Sequence, residues 1–472
     1  MPAAQAYNPN NKALWAEAEK ELLARRTLCN TAWDYYEGRH AKHLKTASGE
    51  TDDNVVINLW KQGKDREITF LFPKMPGFEL DDNLDDDSDD EKWLRGAWAW
   101  NKGLKMLRRL ARYGALDGHV FAKVMASEKP DGYPRIVALN PANTLAFWKA
   151  DDYDERLFYA TYYEVGGKEQ RQDVVKLDDG NWWFINWERE KKRESSGQEA
   201  PVWRETGRVK WAFELCPIVD WQHIDMPGRF YGDNEASLIP LNDKVNKIAS
   251  DTSRILRFYS QPQTVILADI EPEKVKERAI GNAWVMPRDA DVKNVEMQSD
   301  LQSSVRFTEM LVEAMKSQQR VVVLSGDVAD LQRVTNLGVE TVFIDQIAKT
   351  DELWEQYEPG IADLCKLLLC VGRKTFDVQV KVNRASPLPK DAKETIEVQE
   401  KELDLGLASK DTIMRERGRN PKKERELIDN EDTGNDNALI RAMGREAMIP
   451  NALTPNPSPA RRGETAAPAG GQ

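Results

Sequence analysis

The chain has 472 residues, with 67 Lys and Arg against 79 Asp and Glu and a formal net charge of −12. That length carries a sizeable core and two or three folding units. The acidic balance excludes a protein that simply coats nucleic acid, though not one that DNA must slide past. Four scattered cysteines (Cys29, Cys216, Cys365, Cys370) exclude a disulfide framework and read as buried thiols of a reducing compartment. Met1–Asn10 is polar, and the longest apolar run, Ile361–Val371, is broken by Asp363 and Lys366, so a soluble intracellular protein is expected.

In chain order, Asn11–Tyr36 is expected to be helical, with Leu14, Trp15, Ala18 and Leu22 on one face, running into a packed turn at Tyr35-Tyr36-Glu37-Gly38. Val55–Trp60 and Ile68–Pro73 read as short strands or a strand–helix pair. Leu80–Trp93 is a dense acidic run, expected as a solvated mobile loop because like charges at that density repel; it lacks the glycine and terminal glutamate of an EF-hand. Trp93–Gly118 returns to helix, with Trp93, Trp100, Leu104, Leu107 and Ala111 on a shared side. From Val120 to Trp221, β-branched and aromatic runs separated by turn residues predict an antiparallel meander, with Glu194–Pro201 as a long hairpin loop.

The chain is organised around Gly228–Pro262. Pro240 sits near the start of a helix, where it does least harm. Leu241, Val245, Ile248, Thr252, Ile255 and Tyr259 form one apolar stripe. Lys247, Arg254 and Arg257, with Lys244 at the edge, form a basic stripe on roughly the opposite face. A strand at Thr264–Asp269, a charged helix at Glu271–Arg278 and a strand at Ala283–Met286 follow. A second helix, Ser299–Gln319, has Phe307, Met310, Leu311 and Ala314 on its apolar side, so the two helices bracket a small α/β insertion. Val321–Glu340 reads as a strand and a loop, and Thr341–Cys370 as a long helix kinked at Pro359-Gly360, with Ile344, Ile347, Leu353, Trp354, Tyr357 and Leu364 as core. Phe376–Val382 alternates as a strand, and polar helices close the ordered part. The stretch from about Pro450, rich in Pro, Ala and Gly, is expected to be disordered.

Catalytic patterns are missing. Gly372–Thr375 (GRKT) lacks the upstream glycine and residue order of a P-loop, and GxSxG, HExxH and CxxC do not occur. His40 and His43 lack carboxylate or cysteine ligands at metal spacing, and His119 and His223 read as satisfied structural histidines. No cofactor is called for.

The order of these elements resembles that of the portal proteins of long-tailed phages. The resemblance runs from about Asn11 to Glu431 and rests on Tyr35–His40 (YYEGRH), the acidic gap before an aromatic helix and the β-rich middle. It continues through Tyr231–Asp251 (YGDNEASLIPLNDKVNKIASD), the helix–α/β–helix order, and Leu403–Glu431 with its G-x-x-S-x-x-T entry. It departs at Leu337–Asp345, where the family's small-residue segment is replaced by LGVETVFID.

The resemblance implies an α+β fold with long stem helices, a β-rich wing, a small α/β clip and a helical crown. Residues 1–234 would be wing, 235–262 the first stem helix, 263–298 the clip and 299–320 the second stem helix. Residues 321–385 would supply a wing strand, tunnel loop and long helix, 386–440 the crown and 441–472 a disordered tail. It further implies a dodecameric ring at one capsid vertex of the virion, assembled in the host cytoplasm. Double-stranded DNA would pass through it, and it would dock the terminase large subunit, capsid or scaffold proteins and a head-completion adaptor, with no membrane involved. Tunnel-loop residues Asp327, Asp330, Gln332, Arg333, Thr335 and Asn336 would line the channel. Lys244, Lys247, Arg254 and Arg257 would face DNA or make intersubunit ion pairs. A net acidic conduit with sparse basic rows avoids braking DNA, since each neutralised phosphate adds attraction. The competing readings are a DNA-processing enzyme, such as a nuclease or terminase-like subunit, and another capsid adaptor or scaffold.

Overall fold

The computed structural model describes residues 7–43, 54–80, 88–129, 132–149, 151–193, 199–260, 265–267, 284–286, 301–322, 340–375, 378–388, 392–416, 421, 424–425 and 427–428. The chain divides into two compact units, 1–389 and 390–472.

Helix α1 (Lys12–Tyr36) is capped by Asn11, whose side chain accepts from the Leu14 N–H at 3.2 Å. Its buried face extends the expected stripe to Arg25, Cys29, Ala32 and Tyr35, and it ends at Gly38, where φ is +82°. Residues 54–58 form a strap without regular secondary structure, and helix α2 (Leu59–Leu71) follows, capped by Asn58. Ile68–Leu71 is therefore helix, as in the strand–helix alternative, and not a strand. Its side chains Ile68 and Leu71 turn into the core, and Pro73 stops the helix.

Strand β1 (Gly77–Leu80) pairs antiparallel with β12 (Val380–Asn383), so two distant segments meet. The end of the acidic run is also not loop. Ser88 caps helix α3 (Asp89–Trp100), placing Asp89, Asp90 and Glu91 in a first turn where the helix dipole favours negative charge. Residues 81–87 of that run lie outside the described residues. The single helix expected from Trp93 to Gly118 is two, because Lys102 adopts φ +64° between α3 and α4 (Gly103–Asp117). That break turns Trp98 inward and leaves Trp100 54% exposed, so Trp100 is not core.

Strands β2 (His119–Met125), β3 (Arg135–Leu139) and β9 (Ile218–Gln222) form a three-stranded antiparallel sheet in the order β3-β2-β9. Strands β4 (Thr144–Lys149), β5 (Asp152–Val165), β6 (Lys168–Lys176), β7 (Trp182–Arg193) and β8 (Glu199–Lys210) form the meander, each pairing with the next. The meander is thus five strands, with the remaining three in a separate sheet. Alternation covers both faces of the meander. Leu145, Phe147, Phe158 and Ala160 pack with the first half of α1, while Ala146, Trp148 and Tyr159 join the main core. Glu199–Pro201 of the expected hairpin loop is strand, and 194–198 lies outside the described residues.

Helix α5 (Ile239–Ser260) is entered through a 3-10 turn at Ala236–Leu238, and α6 (Leu301–Gln318) packs against it. Between them, β10 (Val265–Leu267) and β11 (Trp284–Met286) pair in parallel. The helix expected at Glu271–Arg278 lies outside the described residues. Helix α7 (Ile344–Arg373) runs through Pro359-Gly360 without ending. Gly360 lets it approach the Trp221 ring, which a Cβ there would meet at 2.5 Å. Leu353, Tyr357 and Leu364 are core as expected, but Ile344 is 61% exposed, and the first turns bury Gln346, Lys349 and Thr350 instead.

In the second unit, α8 (Ala392–Asp404) ends at Gly406, where φ is +67°, and α9 (Lys410–Glu416) is capped by Ser409. The cap expected at Asn420 and the tail from Pro450 lie outside the described residues. Among the described residues no helix is long and apolar enough to cross a membrane.

Candidate functional site

The start of α5 and the end of α6 share one apolar cluster (Leu238, Ile239, Val245, Met315) with the end of α1 and the start of α2, so the two helices form an antiparallel hairpin rooted there. The buried stripe of α5, however, is largely polar. Asn242, Asn246 and Ser250 are each 0–1% exposed. They grip the strap ahead of α2. Asn242 Oδ1 accepts from Trp60 N–H (3.0 Å), Asn246 Oδ1 from Ile57 N–H (2.8 Å) and Ser250 Oγ from Val55 N–H (2.9 Å). Asn242 also donates to the Ile57 carbonyl, and Arg254 Nη2 donates to Asn54 Oδ1 at 3.0 Å. Four residues of helix advance about 6 Å and two of strand about 6.6 Å, so the rungs match from Ser250 to Asn246. A backbone with no sheet partner is satisfied by helix side chains.

Beneath the hairpin lies a buried charge hub. Glu235, in the left-handed region at φ +59°, precedes α5. Its carboxylate meets Lys64 Nζ of α2 at 2.9 Å and Lys349 Nζ of α7 at 2.7 Å. Lys349 Nζ also lies 2.7 Å from Glu67 Oε2 and donates to the Gln319 carbonyl just past α6 at 3.1 Å. His223 Nε2 lies 2.8 Å from Glu67 Oε1, and its Nδ1 lies 2.9 Å from the Tyr357 hydroxyl. Because a carboxylate only accepts, Nε2 carries the proton and the tyrosine donates to Nδ1. Burial alone would raise the Glu67 pKa, but the ammonium groups of Lys349 and Lys64 and the imidazole hold it well below the usual carboxylate range. Burial pushes the His223 pKa down, which keeps the ring neutral at pH 7. Two lysines against two glutamates leave the hub balanced. It ties both ends of the hairpin to α2 and α7.

A second buried ionic cluster joins the two sheets. Asp220 of β9 accepts from the Tyr159 hydroxyl (2.5 Å), lies 2.9 Å from His119 Nε2 and pairs with Arg156 (3.3 Å). His119 and His223 are thus satisfied structural histidines. His40 is another, held by the Tyr35 carbonyl and by Asn246.

Of the predicted site residues, Lys244 and Lys247 are exposed on α5. Arg254 is half-buried and contacts Asn54 and Asp251 of its own chain. The Arg257 side chain lies outside the described residues, as do Asp327, Asp330, Gln332, Arg333, Thr335 and Asn336. The expected apolar seam of α5 is corrected. Val245 is buried, but Leu241, Ile248, Thr252 and Ile255 are half-buried, the asparagines share the inner face, and the Tyr259 side chain lies outside the described residues. The hub escaped sequence reasoning, since its members come from four separated segments; only Lys64 and Glu67, three apart, offered a local signal.

The chain is thus α+β, with a helical hairpin that brackets a small strand pair and is rooted on α1 and α2. A family model described as "Phage portal protein, SPP1 Gp6-like" matches residues 17–438, and the chain belongs to that family. It is a structural component of the phage particle, working as part of a symmetric ring. Two solved structures are similar at 12% identity, each covering 77% of this chain and 90% of the other. They are the virion of a native gene transfer agent particle (TM-score 0.39) and the neck of an empty gene transfer agent particle computed with C6 symmetry (TM-score 0.42). No curated protein matches the chain.

Proposed function

We propose that the chain is a non-enzymatic conduit: a closed, dodecameric ring at one capsid vertex, through which double-stranded DNA is packaged and ejected. In this reading 235–262 and 299–320 are the stem, 263–298 is the clip that meets the terminase large subunit and then the head-completion adaptor, and 386–440 is the crown. Asp327, Asp330, Gln332, Arg333, Thr335 and Asn336 line the narrowest part of the channel. Lys244 and Lys247 are exposed cations of the first stem helix.

The observation that carries this reading is the apolar surface that the hairpin leaves exposed. Leu256 is 51% exposed, Val305 48%, Phe307 43% and Met310 56%. Phe307 and Met310, three apart, share one face of α6; exposed apolar surface of this kind calls for a partner, and a closed ring supplies one from the next copy through a heterologous contact. Negative-stain microscopy with mass measurement in solution tests it. Rings of about a dozen copies are expected from the parent chain, and Phe307→Asp with Met310→Asp should leave folded monomers. A parent chain that stays monomeric at high concentration overturns the proposal, and metal-dependent cleavage of plasmid DNA would favour an enzyme.

A further inference from the structure

In a chain of net charge −12, one helix face stands apart. Lys102, at the entry to α4, and Lys105, Arg109 and Arg112 within it follow at steps of three, four and three, which puts them on one side of the helix. Lys102, Lys105 and Arg109 are exposed, and among the described residues none has a carboxylate partner. Arg112 is braced, donating to the Tyr36 hydroxyl at 3.1 Å, while Tyr36 donates to Asp65 at 2.5 Å. Lys61 Nζ reaches the same ring, 5.3 Å from its centroid. Arg109 and Arg112 open onto a surface hollow of about 480 Å³ walled by Trp33, Tyr36 and Tyr113. Its one carboxylate, Glu37, is ion-paired with Arg39. Lys102, Lys105 and Arg109 are thus not spent on the fold.

We propose that this face of α4, with its aromatic hollow, is a contact surface for the sugar–phosphate backbone of duplex DNA, outside the channel. Two features favour that occupant over an acidic polypeptide. The cations lie in a straight row, and Lys105 to Arg112 spans about 10 Å of axis, the rise of about three nucleotide steps on one strand. The aromatic walls beside them offer flat apolar surface for sugar rings. Such a contact is sequence-independent and weakens steeply with salt. It would hold DNA against the particle's inner parts without touching the stretch being translocated.

The test uses assembled rings and covalently closed circular plasmid, which cannot thread a closed ring and so reports only outer surfaces. The parent ring should bind plasmid at low salt. Lys105→Ala with Arg109→Ala, both outside any hydrogen bond described above, should weaken binding ~tenfold or more and lower the log–log salt slope by ~1.8, about 0.9 for each phosphate no longer neutralised. Rings that ignore plasmid, or a double variant with parental slope, overturn the proposal. So does displacement by poly-glutamate at equal charge concentration, which would assign the face to an acidic protein. A double variant that folds but no longer forms rings would place the face between copies and overturn it too. The inference rests on the ring reading for the channel it lies outside and for the choice of circular DNA: a parent chain without rings refutes that reading, whereas rings without plasmid binding refute this one alone.

Discussion

Replacing Lys349 with methionine keeps much of the side chain's bulk and removes one of two cations from the hub. Lys64 would then face both Glu67 and Glu235, leaving one buried carboxylate uncompensated. Breaking a buried pair by removing one partner costs roughly 3–5 kcal/mol. An independent bound agrees. The stranded carboxylate can take up a proton, which at pH 7 costs about 1.36 kcal/mol for each unit above its ordinary 4.3, or about 3.7 kcal/mol. The sign is diagnostic. Its folded-state pKa would lie above the unfolded value, so the native state binds the extra proton and stability falls as pH rises from about 4.3. Denaturant unfolding followed by tryptophan fluorescence should show a loss of about 4 kcal/mol at pH 7 and little loss at pH 4.5. Adding Glu235→Gln, which returns the hub to one lysine and one glutamate, should recover most of the deficit at pH 7. A loss that is equal at both pH values, or is untouched by the second substitution, would refute the charge-balance account and leave packing as the cause.

Burial raises the Asp117 carboxyl from 3.8 to about 6. Its ionisation therefore costs the fold up to ~3 kcal/mol above pH 6 and nothing below 3.8. Asp117→Asn should melt above the parent at pH 8, with the gain gone at pH 4; a pH-independent gain would contradict this. A Cβ at Gly114 would sit 2.1 Å from the Tyr357 hydroxyl and 2.9 Å from His223 Nδ1. Gly114→Ala should cost ~1–3 kcal/mol in thermal unfolding, with partial recovery when Tyr357→Phe removes the clashing oxygen. Asn246→Ala strands the Ile57 N–H, and ~1–3 kcal/mol of lost stability together with faster hydrogen exchange at that amide is expected.

Much of the helical frame was legible from periodicity, because α1 and the core half of α7 bury apolar residues at helical spacing. The meander was legible from alternation, and the structural role of His119 and His223 from their place at the edges of apolar segments. What periodicity hid was polar burial. Asn242, Asn246 and Ser250 look like a solvent face until the strap's unpaired backbone is placed against them, and that pairing spans about 190 residues of sequence. Trp98 and Trp100 are both indoles near a helix end, and only the backbone reversal at Lys102 decides which one turns inward. The segment at Ile68–Leu71 is short and apolar, a composition shared by strands and buried helices. The hub requires four chain segments to meet, so no window of sequence contains it.

The matched spacing of α5 and the strap has an implication for how this chain can drift. One residue added to α5 between Asn242 and Ser250 would turn every later rung by about 100°, and one added to the strap would point the wrong amides at the helix. Either change orphans several backbone groups at once, whereas exchanges such as Asn for Ser at one rung disturb a single bond. This part of the chain can vary in letters but not in length, and insertions should collect elsewhere.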